Sequence, residues 1–565
     1  MISNYKFFIG IESHLHFIEK IIEEDINNGF PVEKIRFRFP PEPNGYLHIG
    51  HVKAICLNFE LGKKYKSPVN LRFDDTNPIV ENRNFIESIK KDILFLGFKW
   101  DRESYASDYF HKLYEWAVKL IKENKAYVDD QSQKIIQFQR KSPFESGIHS
   151  NYRNRSINEN LYLFEKMKNG FFREGSCVLR AKINMSSPNM NMRDPIMYRI
   201  LHEKHHRTGN QWCIYPTYDW THGQCDYFEQ ISHSLCSLEF ENRRPLYNWY
   251  LDQIHDSEKI RPKQIEFSRL NLSHTITSKR KIQYLIEKKI IQSWDDPRIL
   301  TISGLRRKGY TSIALKNFVH KIGITKRNNI IDISLLEFWI REHLNKIAPR
   351  VMVVFHPIKL IIDNYSINTT EWIEAENNPE NTNFGNRKIP FSKFIYIEED
   401  DFLEKQKKNF FRLSIGKEVR LKNAYIIKAN SILKNSKGEI QEIHCTYDPK
   451  SKSGKKEKIE EKGRTKSTLH WVSIKHSFPI EINLYNPLFL KRNPDVDFHT
   501  CINPKSKDKI IGYAEPSLKK AKKGDHYQFQ RIGYFYVENV KFDKIIFNKT
   551  AYIKNQWEKI KKKSS

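Results

Sequence analysis

The stretch that most constrains this chain lies near its start. "EKIRFRF" and "VNLRFDD" are apolar runs with β-branched and aromatic residues, and between them Pro and Gly punctuation gives way to a helical pattern. Val52, Ile55, Cys56 and Phe59 fall at i, i+3, i+4 and i+7, so the intervening helix has one buried face. Strand, helix and strand in that order form a crossover between parallel strands. The expected fold is a doubly wound α/β domain, and such sheets bind ligands beyond the carboxyl ends of their strands. "PPEPNGYLHIGH" and the acidic "FDDTN" are thereby placed at one crevice.

A nucleotide at that crevice needs a cradle other than the common ones. The chain has no G-x-x-x-x-G-K-[ST] and no G-x-G-x-x-G after a strand. "PNGYLHIGH" offers an alternative. Gly45 permits a tight turn, the helix start presents unpaired N–H groups to an anion, and His48 and His51 share a face. Small Gly50 between them leaves room for a flat ring. A second cationic element stands downstream in "TITSKRK", where Ser278, Lys279, Arg280 and Lys281 follow one another. Read alone, it is equally a solvated charge cluster.

A competing chemistry is written in "HEKHHRTGNQW". His202, Glu203 and His206 match the zinc-protease pattern H-E-x-x-H, which needs both His on one helix face and the Glu beside the metal's water. The extended pattern wants a third His where this chain has Trp212, which disfavours a metalloprotease. Two H-x-x-C pairs, His222 with Cys225 and His233 with Cys236, read more simply as residues of one packed segment. The seven cysteines form no C-x-x-C pair, which points to a reducing compartment. The N-terminal segment lacks a long apolar core, and no later run approaches a membrane span. A cytoplasmic protein without a membrane partner is expected.

Lys and Arg exceed Asp and Glu by 96 − 67 = 29. On a chain of 565 residues, enough for several cores, that excess favours a polyanionic partner, with a solvated basic face as the alternative. After "TITSKRK" the spacing is helical to about residue 347. It then turns to period two in "KEVRLKNAYIIK", "EIQEIHCTYD", "LHWVSIKHSF" and "IEINLYNPLF", the signature of short strands in two β-barrels. The lysine-rich "KSKSGKKEKIEEKGRTK" is low in complexity and expected to be mobile.

Taken together, "HIGH" after a first strand and the later lysine loop resemble the class I aminoacyl-tRNA synthetases. "RFPPEPNGYLHIGHVKAICLNFELGKKYKSPVNLRFDDTNP", "HSLCSLEF", "EFSRLNL", "WDDPRILTISGLRRKGYT" and "GKEVRLKNAYIIK" narrow the likeness to the glutaminyl-tRNA synthetase family, over about residues 17–555. The resemblance implies a Rossmann-type domain in two halves, 1–108 and 218–269. An acceptor-end insertion would occupy 109–217, the lysine loop and a helical connection 270–347, and two anticodon-binding β-barrels 348–565.

It also implies a ligase that activates L-glutamine with ATP and transfers it to the terminal adenosine 2′-OH of tRNA. His48, His51 and Lys279 would be catalytic, and Glu42, Pro43, Asn44, Arg269, Leu270 and Ser278 would complete the ATP site. Mg²⁺ would arrive with ATP, with no structural zinc. Arg38, Asp74 and Tyr218 would bind glutamine, while Asn242, Arg350, Arg412, Arg420 and Gln528 would meet tRNA. The expected state is a monomer. Glutamyl enzymes of the same architecture typically carry Ser and Thr where this chain has Glu42 and Asn44, and glutamate is the runner-up substrate. Thr277 replaces the Met usual in the lysine loop, and Asn242 stands where an acidic residue is common. Those departures keep a non-catalytic tRNA-binding relative as a third reading.

Overall fold

Phe37–Phe39 (β1), Val69–Phe73 (β2) and Glu103–Tyr105 (β3) run parallel in the order of the sequence. The computed structural model describes residues 15–405, 411–453, 467–494, 497–542 and 544–554. Most of the expected mobile loop, residues 454–466, therefore lies outside the described residues. Two compact units are present, one of residues 1–271 with 319–331 and the other of 272–318 with 332–565. The stretch 270–347, read from the sequence as one connection, is thus shared between them.

In the first unit the helix Ile49–Tyr65 crosses from β1 to β2. Val52, Ile55 and Cys56 are fully buried and Phe59 nearly so, as their spacing requires. The helix is covered on more than that face, because Lys53 and Asn58 are buried too. Lys53 Nζ donates to the Ser268 carbonyl at 2.8 Å and its hydroxyl at 2.9 Å, and burial pulls the amine down to about 8.

After β3 the fold is interrupted by Ala126–Asp129 (β4), Val178–Ala181 (β5), Ile196–Ile200 (β6) and Ile214–Pro216 (β7), an antiparallel sheet in sequence order. Its core gathers Leu113, Phe164, Tyr198 and Trp212. The chain returns through the helix Tyr218–Phe228 to His233–Ser237 (β8), and through Arg244–Ile254 to Lys263–Phe267 (β9), parallel to β8. β8 stands beside β1, where Ser232 N–H donates to the Arg36 carbonyl at 3.2 Å. The parallel strands thus lie in the order β3-β2-β1-β8-β9, with the switch point between β1 and β8, where a doubly wound sheet opens its ligand crevice.

The second unit carries two seven-stranded sheets. Each is closed by one short segment that pairs with both of its edges, which removes exposed strand edges. In one, Arg350 and Val351 pair in parallel with Gln528 and Phe529, and Val353 and Val354 pair antiparallel with Ala514 and Tyr513. In the other, Thr468 and Leu469 pair with Arg420 and Leu421, while Val472 and Ser473 pair with Tyr396 and Ile395. Period-two alternation lets residues 350–354 serve both barrels. Val351 and Val353 enter one core, Met352 and Val354 the other. Among the described residues no helix is long and apolar enough to cross a membrane.

Helix Ile302–Lys308 ends on Gly309 at φ 93°, a left-handed cap, and a Cβ there would lie 2.4 Å from Tyr536 Cβ and 2.5 Å from Thr550 Oγ1. Gly309→Ala combines an unfavourable φ with overpacking and should destabilise the second unit by about 3 kcal/mol. Denaturant unfolding followed in that unit checks this, and an unchanged midpoint would contradict the role given to Gly309.

Candidate functional site

The crevice at the switch point begins with the helix start that the sequence singled out. His48 is the N-cap of Ile49–Tyr65, and its Nδ1 accepts from Gly50 N–H at 3.0 Å. His51 Nδ1 accepts in turn from His48 N–H at 3.1 Å. With both Nδ1 atoms accepting, each neutral ring carries its proton on Nε2, so both present donors. A Cβ on Gly50 would sit 2.8 Å from His48 Cε1, so the room left by this glycine is filled by the His48 ring itself.

Behind the histidines lies a buried charge cluster that the sequence did not reveal. Arg38 on β1 and Arg72 on β2 are fully buried and converge on Asp226 of the helix Tyr218–Phe228. Asp226 Oδ1 accepts from Arg38 Nε and from Arg72 Nη1, each at 2.9 Å. Its Oδ2 accepts from Ser234 Oγ at 2.6 Å and Tyr247 OH at 3.0 Å. Burial disfavours the charge on Asp226, but Arg38 and Arg72 prevail and hold the carboxyl far below its usual range. Arg38 also donates to the Leu235 carbonyl at 3.0 Å, so this residue, expected beside the amino acid, fastens β1 to β8 and to Asp226.

Asp74 ends this chain of pairs. Its Oδ1 accepts from Arg72 Nε at 2.8 Å, while its Oδ2 is buried without a hydrogen-bond partner. His222 Nδ1, equally buried, lies 3.9 Å from that oxygen, too far for a hydrogen bond but within ion-pair distance. Burial opposes a charge on His222, but Asp226, Asp74 and Cys236 outweigh it and raise its pKa to about 9. Tyr218 stacks on the His222 ring at 4.9 Å, and burial pushes its phenol well above the ordinary value.

Tyr218, His222, Phe240 and Gln264 line a narrow pocket of about 10 Å³. Gln264 Nε2 donates to Glu266 Oε1 at 2.9 Å and to the Phe240 carbonyl at 3.2 Å. The pocket's arginine, Arg243, is paired with Asp219 at 2.9 Å.

The remaining expected residues lie on several elements. Pro43 accepts from Asn82 N–H at 3.1 Å, and Asn44 Nδ2 donates to Glu42 at 2.5 Å. Arg269 pairs with Glu239, and its N–H donates to Asn328 at 3.0 Å; Leu270 follows on a short strand. The Asn242 carbonyl accepts from Asn189 at 2.7 Å and Asn191 at 3.0 Å, fixing "SPNMNMR" against an exposed turn. Ser278 and Lys279 belong to the second unit, where Lys279 opens the helix Lys279–Glu287.

The H-E-x-x-H pattern does not form the helix that its chemistry requires. Residues 201–212 are loop and turns with a bridge between His205 and Gly209. Asp75, His205 and His206 do cluster closely enough to hold a metal. Yet His205 Nε2 lies 2.9 Å from the Asp75 carbonyl, and its Nδ1 accepts from Arg207 and Thr208 N–H, each at 3.2 Å. Both nitrogens are engaged, and Asp75 itself accepts from Ser107 N–H at 2.8 Å and Oγ at 2.7 Å. A metal would have to displace bonds that hold the loop.

In the second unit a cavity of about 550 Å³ is lined by Arg350, Lys422, Asn423, Gln528, Gln530 and Arg531. Of the expected tRNA contacts it includes Arg350 and Gln528. Arg420 donates to the Ser451 carbonyl at 2.8 Å and to Ser453 Oγ, part of the cavity's lining, at 3.2 Å, and Arg412 shares Asp401 with Arg531. Lys422, Gln530 and Arg531 were not picked out from the sequence, because short strands carry no sign of which face closes on a cavity.

Comparison with known proteins agrees with this geometry. The description "tRNA synthetases class I (E and Q), catalytic domain" matches residues 34–346, and "tRNA synthetases class I (E and Q), anti-codon binding domain" matches 348–448 and 468–538. A glutamine-tRNA ligase of Cronobacter sakazakii is 49% identical over 554 residues, covering 96% of this chain and 98% of its own. One from Clostridium kluyveri is 46% identical over 549 residues, covering 96% and 98%.

The raised pKa of His222 has a direct consequence. The ring should stay protonated through neutral pH, and the stability it confers should be complete below about 6.5 and lost as pH rises through about 9. Titration of the His222 ring by NMR checks this, and deprotonation near 6.5 would contradict the account of the cluster.

Proposed function

The chain belongs to the class I tRNA synthetases for glutamate and glutamine, and we propose that within that family it attaches L-glutamine to its tRNA. Glutamine's carboxylate attacks the α-phosphorus of ATP and expels pyrophosphate. The terminal 2′-OH of tRNA then attacks the adenylate carbonyl and releases AMP. Neither step needs a covalent enzyme intermediate, so the protein acts by positioning and by donors aimed at developing charge.

The observation that carries the choice of glutamine is the pairing of charge around Tyr218. Asp74 Oδ2, a buried acceptor without a hydrogen-bond partner, suits the substrate ammonium. The neighbouring pocket, which at about 10 Å³ must widen to admit a side-chain amide, offers the Tyr218 hydroxyl and the Gln264 amide oxygen, while its cations already face carboxylates: Arg243 meets Asp219, and His222 lies 3.8 Å from Asp226. A glutamate carboxylate would find no unmatched cation there, whereas a neutral amide can donate to the phenol oxygen. Arg38 is a positioning residue, acting through Asp226.

His48 and His51 donate toward ATP from the helix start, with Glu42, Pro43, Asn44, Arg269 and Leu270 around it. Ser278 and Lys279 serve the phosphates as pyrophosphate leaves, and Mg²⁺ comes with the nucleotide. The cavity of Arg350, Lys422, Gln528 and Arg531 suits splayed anticodon bases, read on their edges by polar and cationic side chains. Arg412 and Arg420 support it through Asp401 and Ser453, and Asn242 orders the loop expected to face the acceptor end. Thr277 gives the lysine loop less apolar surface to bury than Met, so it closes less often but still delivers Lys279.

Asp74→Asn should raise the glutamine KM roughly tenfold or more through loss of a charge-assisted hydrogen bond, with the ATP KM little changed. Lys279→Ala should nearly abolish ATP–pyrophosphate exchange measured with tRNA present. An unchanged glutamine KM in the first variant defeats the amino-acid site, and intact exchange in the second favours a non-catalytic RNA-binding protein.

A further inference from the structure

Helix Ile302–Lys308 is fastened to the barrel strand Lys544–Tyr552 by Asn548 Nδ2, donating to the Arg307 carbonyl at 2.9 Å, and by Thr550 Oγ1, donating to the Lys308 carbonyl at 2.7 Å. Beside that seam lies a cavity of about 60 Å³ lined by Lys308, Lys549, His274, Arg298, Tyr310 and Glu337. Lys549 is only 7% exposed, and its ammonium nitrogen stands 3.2 Å from the centre of the Tyr552 ring. Among the described residues no carboxylate comes within ion-pair distance of Lys549 or Lys308.

The other charged groups facing the cavity are committed elsewhere. Arg298 holds Asp296 by two bonds of 2.9 and 2.8 Å. Glu337, from the helix Ile333–Ile347, faces Arg341 at 3.6 Å. Two ammonium groups and Arg341 therefore face a single carboxylate, Glu337, whose charge is divided between Arg341 and Lys308, and this excess of positive charge is costly unless a further counter-charge enters. Burial, and then the charge of Lys308, pulls Lys549 down to about 7, and burial lowers Lys308 as well, although Glu337 opposes that shift.

We propose that this cavity is an anion site that takes one phosphate-sized oxyanion between Lys308 and Lys549. Water needs on the order of 10–15 Å³ of such space, so about 60 Å³ accommodates a tetrahedral oxyanion but not a nucleoside triphosphate. The anion favours the charged form of both amines. Binding takes up a proton near neutral pH and weakens as pH rises above about 7. The bound ion ties the helix to the barrel strand at the seam. The oxyanion is either free inorganic phosphate or a phosphate of the RNA backbone.

The test uses full-length protein with a non-hydrolysable ATP analogue in the catalytic crevice. Inorganic phosphate is titrated calorimetrically at pH 7 in two buffers of different ionisation enthalpy, and tRNA affinity is measured in parallel. Expected are one phosphate per chain, proton uptake, and roughly tenfold or greater weakening in Lys549→Met and in Lys308→Met, with tRNA affinity unchanged. If free phosphate does not bind but both variants weaken tRNA by a similar factor with a shallower salt dependence, the site stands and its ligand is an RNA phosphate. Phosphate and tRNA affinities unchanged by both variants overturn it. Should Lys549→Met fail to fold, Lys308→Met, at the more exposed lysine, decides alone.

Discussion

The convergence of Arg38 and Arg72 on Asp226 is the interaction on which the catalytic half depends. The two arginines come from neighbouring strands near the start of the chain, and Asp226 follows an insertion of about a hundred residues. No local propensity can bring those halves together. The buried ion pairs do so with fixed geometry, because a guanidinium accepts only certain directions of approach. Removing one partner would leave an uncompensated buried charge, a loss of about 3–5 kcal/mol. The same cluster determines chemistry. Arg72 consumes one oxygen of Asp74 and leaves the other as an acceptor beside His222 and Tyr218.

The proposed discrimination rests on this arrangement. Glutamine and glutamate differ by a charge and by two N–H donors, and shape alone cannot separate them. A pocket whose cations are already matched penalises the glutamate carboxylate by leaving it unpaired on burial. The cavity of the second unit, proposed to take anticodon bases, has a different balance. Arg350 and Arg531 are anchored by Asn345 and Asp401, so their forks are held in place before any base arrives.

Much of the architecture could be read directly from the chain. The i, i+3, i+4, i+7 face of Val52, Ile55, Cys56 and Phe59 required a crossover helix, and period two required strands after residue 348. His48 and His51 stood out because their position at a helix start is local, but that their rings take up the N–H groups expected to be unpaired there was not legible. His222 was not, since its character comes from Asp74 and Asp226 on separate elements, and a lone H-x-x-C reads as packing. Arg38 was found through resemblance, but its complete burial against Asp226 is a tertiary fact. The closure of both barrels by residues 350–354 and 468–473 was equally hidden, because register across distant strands leaves no local trace. "HEKHH" misleads for the opposite reason: the letters match, but the helix that would align them is absent and His205 is already bonded through both nitrogens.

The central claim is that the matched charges around Tyr218 select the amide over the carboxylate. Steady-state aminoacylation of one tRNA pool with glutamine and with glutamate tests it most directly. The account predicts charging with glutamine at a kcat/KM on the order of 10⁴ above that for glutamate. Equal efficiency, or a preference for glutamate, would contradict it.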